Sequence, residues 1–321
     1  MERLKRYWFL LVSCIVFVLL GLGLFLFYQE GNLLPHQLKI GATYMTMNND
    51  FYKTLNEEIE QEVSENSDIL LTRDPGLDAA KQAQQIDYFI QEKVAVIIIN
   101  PVDRNSSAII KKLKKAKRQG IKIVVVDSQI QGADFVDSTI LSDNYQAGVL
   151  CAEQLMRDKT SAKILLLEHE SAVSGADRIR GFLETIAGHP SYQVVARRDV
   201  LGQTELALPA VQEVIASGVS FDTVMALNDQ AAMGALAALD QAGLDTVGVY
   251  GIDGSPNMKA LIETTAAAKA TVAQSPYDMG KAALEASYQL ASGKSYPSQK
   301  VIEVALIDKD NISQYDTAGW Q

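Results

Sequence analysis

Val94-Ala95-Val96-Ile97-Ile98-Ile99 places six apolar residues in a row. A strand with one wet face alternates apolar and polar residues, and this run does not. It reads as a strand buried on both faces, as parallel sheets covered by helices require. Working outward, runs of the same character recur at Leu38–Met45, Ile69–Asp74, Lys122–Asp127, Lys163–Glu168, Tyr192–Arg197, Thr223–Leu227, Val247–Asp253 and Ala270–Gln274. A further strand-like stretch covers Ser138–Leu141. Between the runs the apolar period lengthens to about 3.6 residues. Phe51, Tyr52, Leu55, Ile59 and Val63 line one helical face, and Ile179, Phe182, Leu183 and Ile186 line another. The predicted fold class is α/β, a chain of βαβ units with right-handed crossovers.

The alternation continues past the point where one sheet is complete. A break falls near Ser142-Asp143-Asn144, where Asp and Asn serve as loop and cap residues. A chain of 321 residues, 48% of them hydrophobic, is long and apolar enough for two cores. Two similar Rossmann-like lobes with a cleft between them are therefore expected.

Polar residues fall at equivalent places in this pattern. Asp127, Asn228, Asp253 and Gln274 follow strand-like runs; Asn49 and Arg178 fall in the loop or first helical turn after others. Ligands of open parallel sheets bind at the carboxyl ends of the strands. These groups suit a small molecule rich in hydroxyls. Carboxylates accept two hydrogen bonds and strengthen them by charge, and amides both donate and accept. Arg178 supplies a fork of donors and balances Asp127 or Asp253, since an unpaired buried charge is costly. Each residue alone also has a plainer reading. Asn49 and Asp50 suit a helix cap, Asp127 and Asp253 suit strand-end turns, and Phe51 and Tyr52 suit a core.

The N-terminus carries a different signal. Arg3, Lys5 and Arg6 precede Tyr7–Tyr28, which holds no charged residue. At 1.5 Å per residue that run spans roughly 33 Å, enough for a bilayer core. The basic side is expected to stay cytoplasmic. A single-pass anchor with the bulk of the chain extracytoplasmic, in periplasm or at the cell surface, follows. Leu11-Val12-Ser13-Cys14 matches a lipobox, but apolar residues continue through Ile15–Phe27, so an uncleaved anchor is the expectation. The linker Gln29–Gln37 reaches roughly 30 Å when stretched. A net charge of −10 argues against a nucleic-acid partner. Cys14 and Cys151 lie too far apart in function and place to form a disulfide framework.

Taken in order and spacing, the motifs are similar to the type I periplasmic sugar-binding proteins, of the ribose-binding kind, over about Leu38–Ile307. The markers are Met47-Asn48-Asn49-Asp50-Phe51-Tyr52, Ile99-Asn100-Pro101-Val102-Asp103, Val126-Asp127-Ser128, Leu141-Ser142-Asp143-Asn144, Arg178-Ile179-Arg180-Gly181-Phe182, Leu227-Asn228-Asp229, Gly251-Ile252-Asp253-Gly254 and Val272-Ala273-Gln274. The resemblance implies that Asn49 donates to a sugar hydroxyl. It implies that Phe51 and Tyr52 sandwich the ring, and that Asp127, Arg178, Asn228, Asp253 and Gln274 are the remaining polar ligands. It also implies a three-segment hinge, with crossings near Ser142–Asn144, Gln274–Pro276 and Glu303–Val304. The lobes would then be 38–142 plus 275–303 and 143–274 plus 304–321, following a stub, anchor and linker at 1–37. Three departures stand out: Ser128 replaces an arginine, Ile252 replaces an aromatic, and an aromatic near Gly202 is missing. These shift the expected ligand from plain ribose toward a bulkier or differently substituted sugar.

Other signals are weaker. His169 between Glu168 and Glu170 reads as a solvated loop rather than a metal site, because no other His or Cys stands at ligand spacing. Asp127 and Asp253 form a remote glycosidase alternative. No phosphate-binding glycine loop appears, and no cofactor or metal is expected. The basic run Lys111–Arg118 reads as a surface helix with Ile109, Ile110, Leu113 and Ala116 inward. The reading is a non-enzymatic binding protein that closes on a sugar or sugar-like ligand and presents it to the permease of an ABC importer. The alternative output is a membrane sensor such as a histidine kinase.

Overall fold

The computed structural model describes residues 1–29, 37–132 and 134–320. Most of the expected linker, residues 30–36, lies outside the described residues, as do the side chains of Arg3, Lys5 and Arg6. The chain divides into two units, Met1–Leu38 and Lys39–Gln321. The first holds helix α1 (Glu2–Gln29). Its segment Tyr7–Phe27 is, by length and composition, apolar enough to cross a membrane.

In the second unit, β-branched runs form the strands. The first sheet has the order β11-β5-β4-β3-β1-β2. Its strands are β1 (Lys39–Thr43), β2 (Ile69–Arg73), β3 (Val96–Ile99), β4 (Lys122–Val126), β5 (Ser138–Ser142) and β11 (Gln299–Ile302). They are all parallel, with α2 (Asp50–Glu65), α3 (Ala79–Gln91), α4 (Ser107–Arg118) and α10 (Pro276–Ala291) as its helices. The second sheet has the order β12-β10-β9-β8-β6-β7. Its strands are β6 (Ala162–Glu168), β7 (Tyr192–Asp199), β8 (Thr223–Ala226), β9 (Gly248–Asp253), β10 (Ala268–Ala273) and β12 (Ala305–Asp308). Here α5 (Asn144–Asp158), α6 (Val173–Ile186), α7 (Thr204–Ala216), α8 (Asp229–Gln241) and α9 (Pro256–Thr264) supply the helices, and β12 alone runs antiparallel, against β10. The chain leaves the first sheet after β5, returns through α10, and passes from β11 to β12 across residues 303–304.

All four residues of β3 are buried, as expected of a central strand. The two edge strands β11 and β12 were not legible from apolar runs. They are four residues each and half exposed, and their pairing comes from the sheet rather than from their own sequence. Helix α4 matches the expected surface helix: Ile109, Leu113 and Ala116 are buried, and its lysines pair with Asp87, Asp134 and Asp137.

Register sets the site. Thr43 stands beside Ile99 and Ile99 beside Val125, so Tyr44, Asn100 and Val126 continue one row at the carboxyl edge. Ala273 stands beside Asp253, which brings Gln274 to the same edge of the second sheet. In each sheet the strand order reverses at one point, between β1 and β3 and between β6 and β8, the crevice where open α/β sheets hold ligands.

Helices α5 and α6 meet backbone to backbone. A Cβ at Gly148 would sit 1.9 Å from the carbonyl oxygen of Arg178, and one at Gly181 would sit 2.1 Å from that of Tyr145. Neither carbonyl can yield without moving its helix. Gly148→Ala is therefore expected to cost about 1–3 kcal/mol in overpacking, lowering the melting temperature by several degrees and displacing Arg178. Differential scanning calorimetry of the variant checks this.

Candidate ligand-binding cleft

Asn49, Phe51, Tyr52, Asp127, Arg178, Asn228, Asp253 and Gln274 all line one cavity. The first four come from the first sheet and its helix α2; the others come from the second.

Arg178 is the centre of the arrangement. It lies in the second turn of α6, one turn later than expected. Its guanidinium is 4% exposed as part of the residue. Nε donates to Asn144 Oδ1 at 2.8 Å, and Nη1 donates to the Leu227 carbonyl at 3.0 Å. Nη1 also stands 3.4 Å from Asp253 Oδ1, and Nη2 stands 3.8 Å from Asp127 Oδ1. One cation thus ties a carboxylate from each lobe. Asp127 Oδ2 further accepts from the Tyr52 hydroxyl at 2.9 Å, Asn100 Nδ2 at 3.2 Å and Ser174 Oγ at 3.2 Å.

The local structure explains these placements. Asn49 is the N-cap of α2, its Oδ1 accepting from Phe51 N at 2.9 Å, so the plainer reading holds alongside the cleft position. That bond leaves its Nδ2 directed to other work. Asn228 likewise caps α8 through Ala231 N at 3.0 Å while its Nδ2 donates to the Gly202 carbonyl at 3.0 Å. Phe51 and Tyr52 rings meet at 86° with centroids 5.6 Å apart, so they make two walls of a corner. Asp127 adopts φ 61° and Asp253 φ 148°. Such backbone costs on the order of 1–3 kcal/mol per residue and gathers at functional sites.

Gln274 donates from Nε2 to Asp253 Oδ1 at 2.7 Å, but its Oε1 is buried and has no partner. Buried polar atoms are nearly always hydrogen-bonded, so this acceptor fits a donor carried by a ligand.

The sequence reading missed part of the lining. His169, expected in a solvated loop, is 4% exposed and lines the cavity. The reason is positional: it follows β6, next to the strand-order reversal. Its Nε2 lies 3.0 Å from Ser171 Oγ, and burial lowers its pKa, so it stays neutral near pH 7. Ser174 is a lining residue with no sign in the sequence, and in the loop Leu201–Gln203 after β7 only the position near Gly202 stood out, for its lost aromatic. Asn100 works from behind, accepting from Met45 N at 3.1 Å while holding Asp127.

Ser128, the departure from arginine, has a defined partner. Its Oγ accepts from Val173 N at 2.9 Å and Ser174 N at 3.3 Å. Helix α6 has Ala172 at its own N-cap and no side-chain cap of its own. A serine of the first lobe therefore caps a helix of the second.

Asp127, Asp229 and Asp253 are buried and feel the charge of the Arg178 guanidinium. Burial pushes Asp253 up to about 8; Arg178 opposes this, the negative charge of Asp229 adds to it, the Gln274 bond opposes it, and Asp127 adds to it. Tyr52 is raised by burial and then by Asp127, so it remains a donor. Between the ordinary value of 3.8 and about 8 the folded protein holds more protons at Asp253 than the unfolded chain. Stability contributed by this residue therefore falls as pH rises through that window. Asp253→Asn is expected to gain on the wild type by several degrees between pH 4 and pH 8. Thermal unfolding of both proteins across that range checks the slope.

Two hinged α/β lobes whose strand ends converge on one polar, aromatic-walled cleft define a ligand-binding protein of the two-lobed class. Residues 40–295 match the periplasmic binding protein domain, and the chain belongs to that family. The ribose import binding protein of Bacillus subtilis is 31% identical over 84% of this chain and 86% of its own length. The D-apiose import binding protein of Actinobacillus succinogenes is 29% identical over 83% and 86%. A crystal structure of an ABC transporter solute-binding protein from Mycobacterium smegmatis with bound glycerol is similar at a TM-score of 0.82 and 27% identity, over 89% of this chain and 98% of that one. These relatives are binding proteins, in keeping with a non-catalytic reading of the Asp127 and Asp253 pair.

Proposed function

We propose that the chain is a membrane-anchored, extracytoplasmic binding protein for a sugar, which closes on its ligand and presents it to an ABC importer. The observation that carries this reading is the convergence of eight chosen side chains on one cavity whose Gln274 Oε1 is left without a partner. The lobes, 38–142 plus 275–303 and 143–274 plus 304–321, act as jaws, and ligand stabilises the closed form by its greater affinity for it. Asn49, Asn228 and Gln274 serve the hydroxyls as amides, Asp127 and Asp253 as acceptors, and Arg178 as a donor. Phe51 and Tyr52, set at 86° to each other, wall the ring on two adjoining sides rather than sandwiching it. The apolar helix Tyr7–Phe27 supports the anchor and keeps the protein near a membrane partner.

That helix also favours a second reading, a ligand-sensing subunit for a histidine kinase, since a tethered protein gains nothing from shuttling. Labelled-sugar uptake separates the two. Loss of uptake on deletion supports import; retained uptake with lost sugar-induced transcription supports sensing.

Titration calorimetry across pentoses and hexoses tests the site itself. Arg178→Ala removes one partner of a buried charge pair, a loss of about 2–5 kcal/mol, so affinity is expected to fall at least about 30-fold. Wild-type affinity in the variant, or no saccharide bound by the wild type, sinks the reading.

Ser128→Ala removes the cap across the cleft. A lost cap costs about 1 kcal/mol, and affinity is expected to fall about fivefold with faster dissociation. Stopped-flow release measures it.

A further inference from the structure

The aromatic wall of the cleft does not end at Phe51. Tyr44 stacks on Tyr52 with centroids 5.9 Å apart, and Phe51 meets Trp320 at 5.8 Å and 74°. Tyr44, Phe51 and Tyr52 belong to the first lobe. Trp320 arrives from the segment after β12, on the second.

That segment is fastened. Lys259 of α9 is fully buried, and its Nζ donates to the carbonyls of Asp316 at 2.5 Å and Gly319 at 2.6 Å. A buried ammonium demands such partners, so the anchor holds the tail one residue short of Trp320.

Trp320 walls a second cavity, of ≈ 300 Å³. Asn49 and Asp253 line both this cavity and the first, so the two adjoin. Thr54 and Glu57 of α2 contribute from one lobe, Gln230 and Asn257 from the other. Gln230 Nε2 donates to the Asn48 carbonyl at 3.2 Å across the cleft, while its buried Oε1 has no partner. The space therefore offers amides that donate and accept, four carboxylates, the Lys53 ammonium, two hydroxyls and the Trp320 indole. That is the chemistry that receives a hydroxylated ring.

We propose that this second cavity is a subsite for a further sugar unit, so that the protein takes a disaccharide with one ring in the first cavity and the next against Trp320. The proposal rests on the sugar-binding reading of the first cavity.

The full-length protein in lipid nanodiscs is titrated calorimetrically with glucose, galactose, fructose and ribose, and with lactose, melibiose, sucrose, maltose, cellobiose and trehalose. At least one disaccharide is expected to bind tenfold tighter than its component monosaccharides, and Trp320→Ala to bring that ratio close to one. Gln230→Ala, on a different element, is expected to narrow the ratio in the same direction, which separates loss of a contact from misfolding of the tail. Disaccharides binding no tighter than monosaccharides overturn the subsite alone. So does an equal loss for both classes in Trp320→Ala. If neither class binds the wild type, the sugar-binding reading falls as well.

Discussion

One guanidinium holds the cleft together. Arg178 is buried and bonded to Asn144 at the crossing between sheets, to the Leu227 carbonyl and to Asp253, and it faces Asp127 across the gap. Buried ion pairs contribute little net stability, because desolvation offsets attraction, but breaking one is costly. The arrangement is thus a specificity device more than a source of stability. Burial first, and then the negative charge of Asp229 and Asp127, makes Asp253 resist ionisation against the pull of Arg178.

The helix that carries that guanidinium is placed by backbone contact. Gly148 and Gly181 let α5 and α6 approach until each helix touches the other's carbonyls. The strained φ values of Asp127 and Asp253 then aim two carboxylates at the same space. Helix packing, strand register and local strain converge on one small volume, and each would be unfavourable without the others.

Much of this was legible in the residues. Fully buried parallel strands announce themselves as unbroken apolar runs, so β3, β4 and β6 were plain. The residue after such a run must face the carboxyl edge, which exposed Asp127 and Gln274. The edge strands β11 and β12 were not visible, because a short, half-wet strand has no apolar signature apart from its neighbours. His169 was misjudged because its flanking glutamates suggested solvent, although the strand-end rule applied to it equally. The reach of Trp320 to Phe51 had no local signal at all, since it depends on Lys259 capturing carbonyls nearly sixty residues away along the chain, at separations of 57 and 60.

Ser128 couples two kinds of order. Its hydroxyl supplies the first-turn amides of α6 with the acceptor that Ala172 lacks. Any motion that carries the first lobe away leaves Val173 and Ser174 to water. Opening is then not a purely rigid swing: it also unclasps the start of the helix that bears Arg178. The winding of that single helical turn is therefore tied to how closely the two lobes stand.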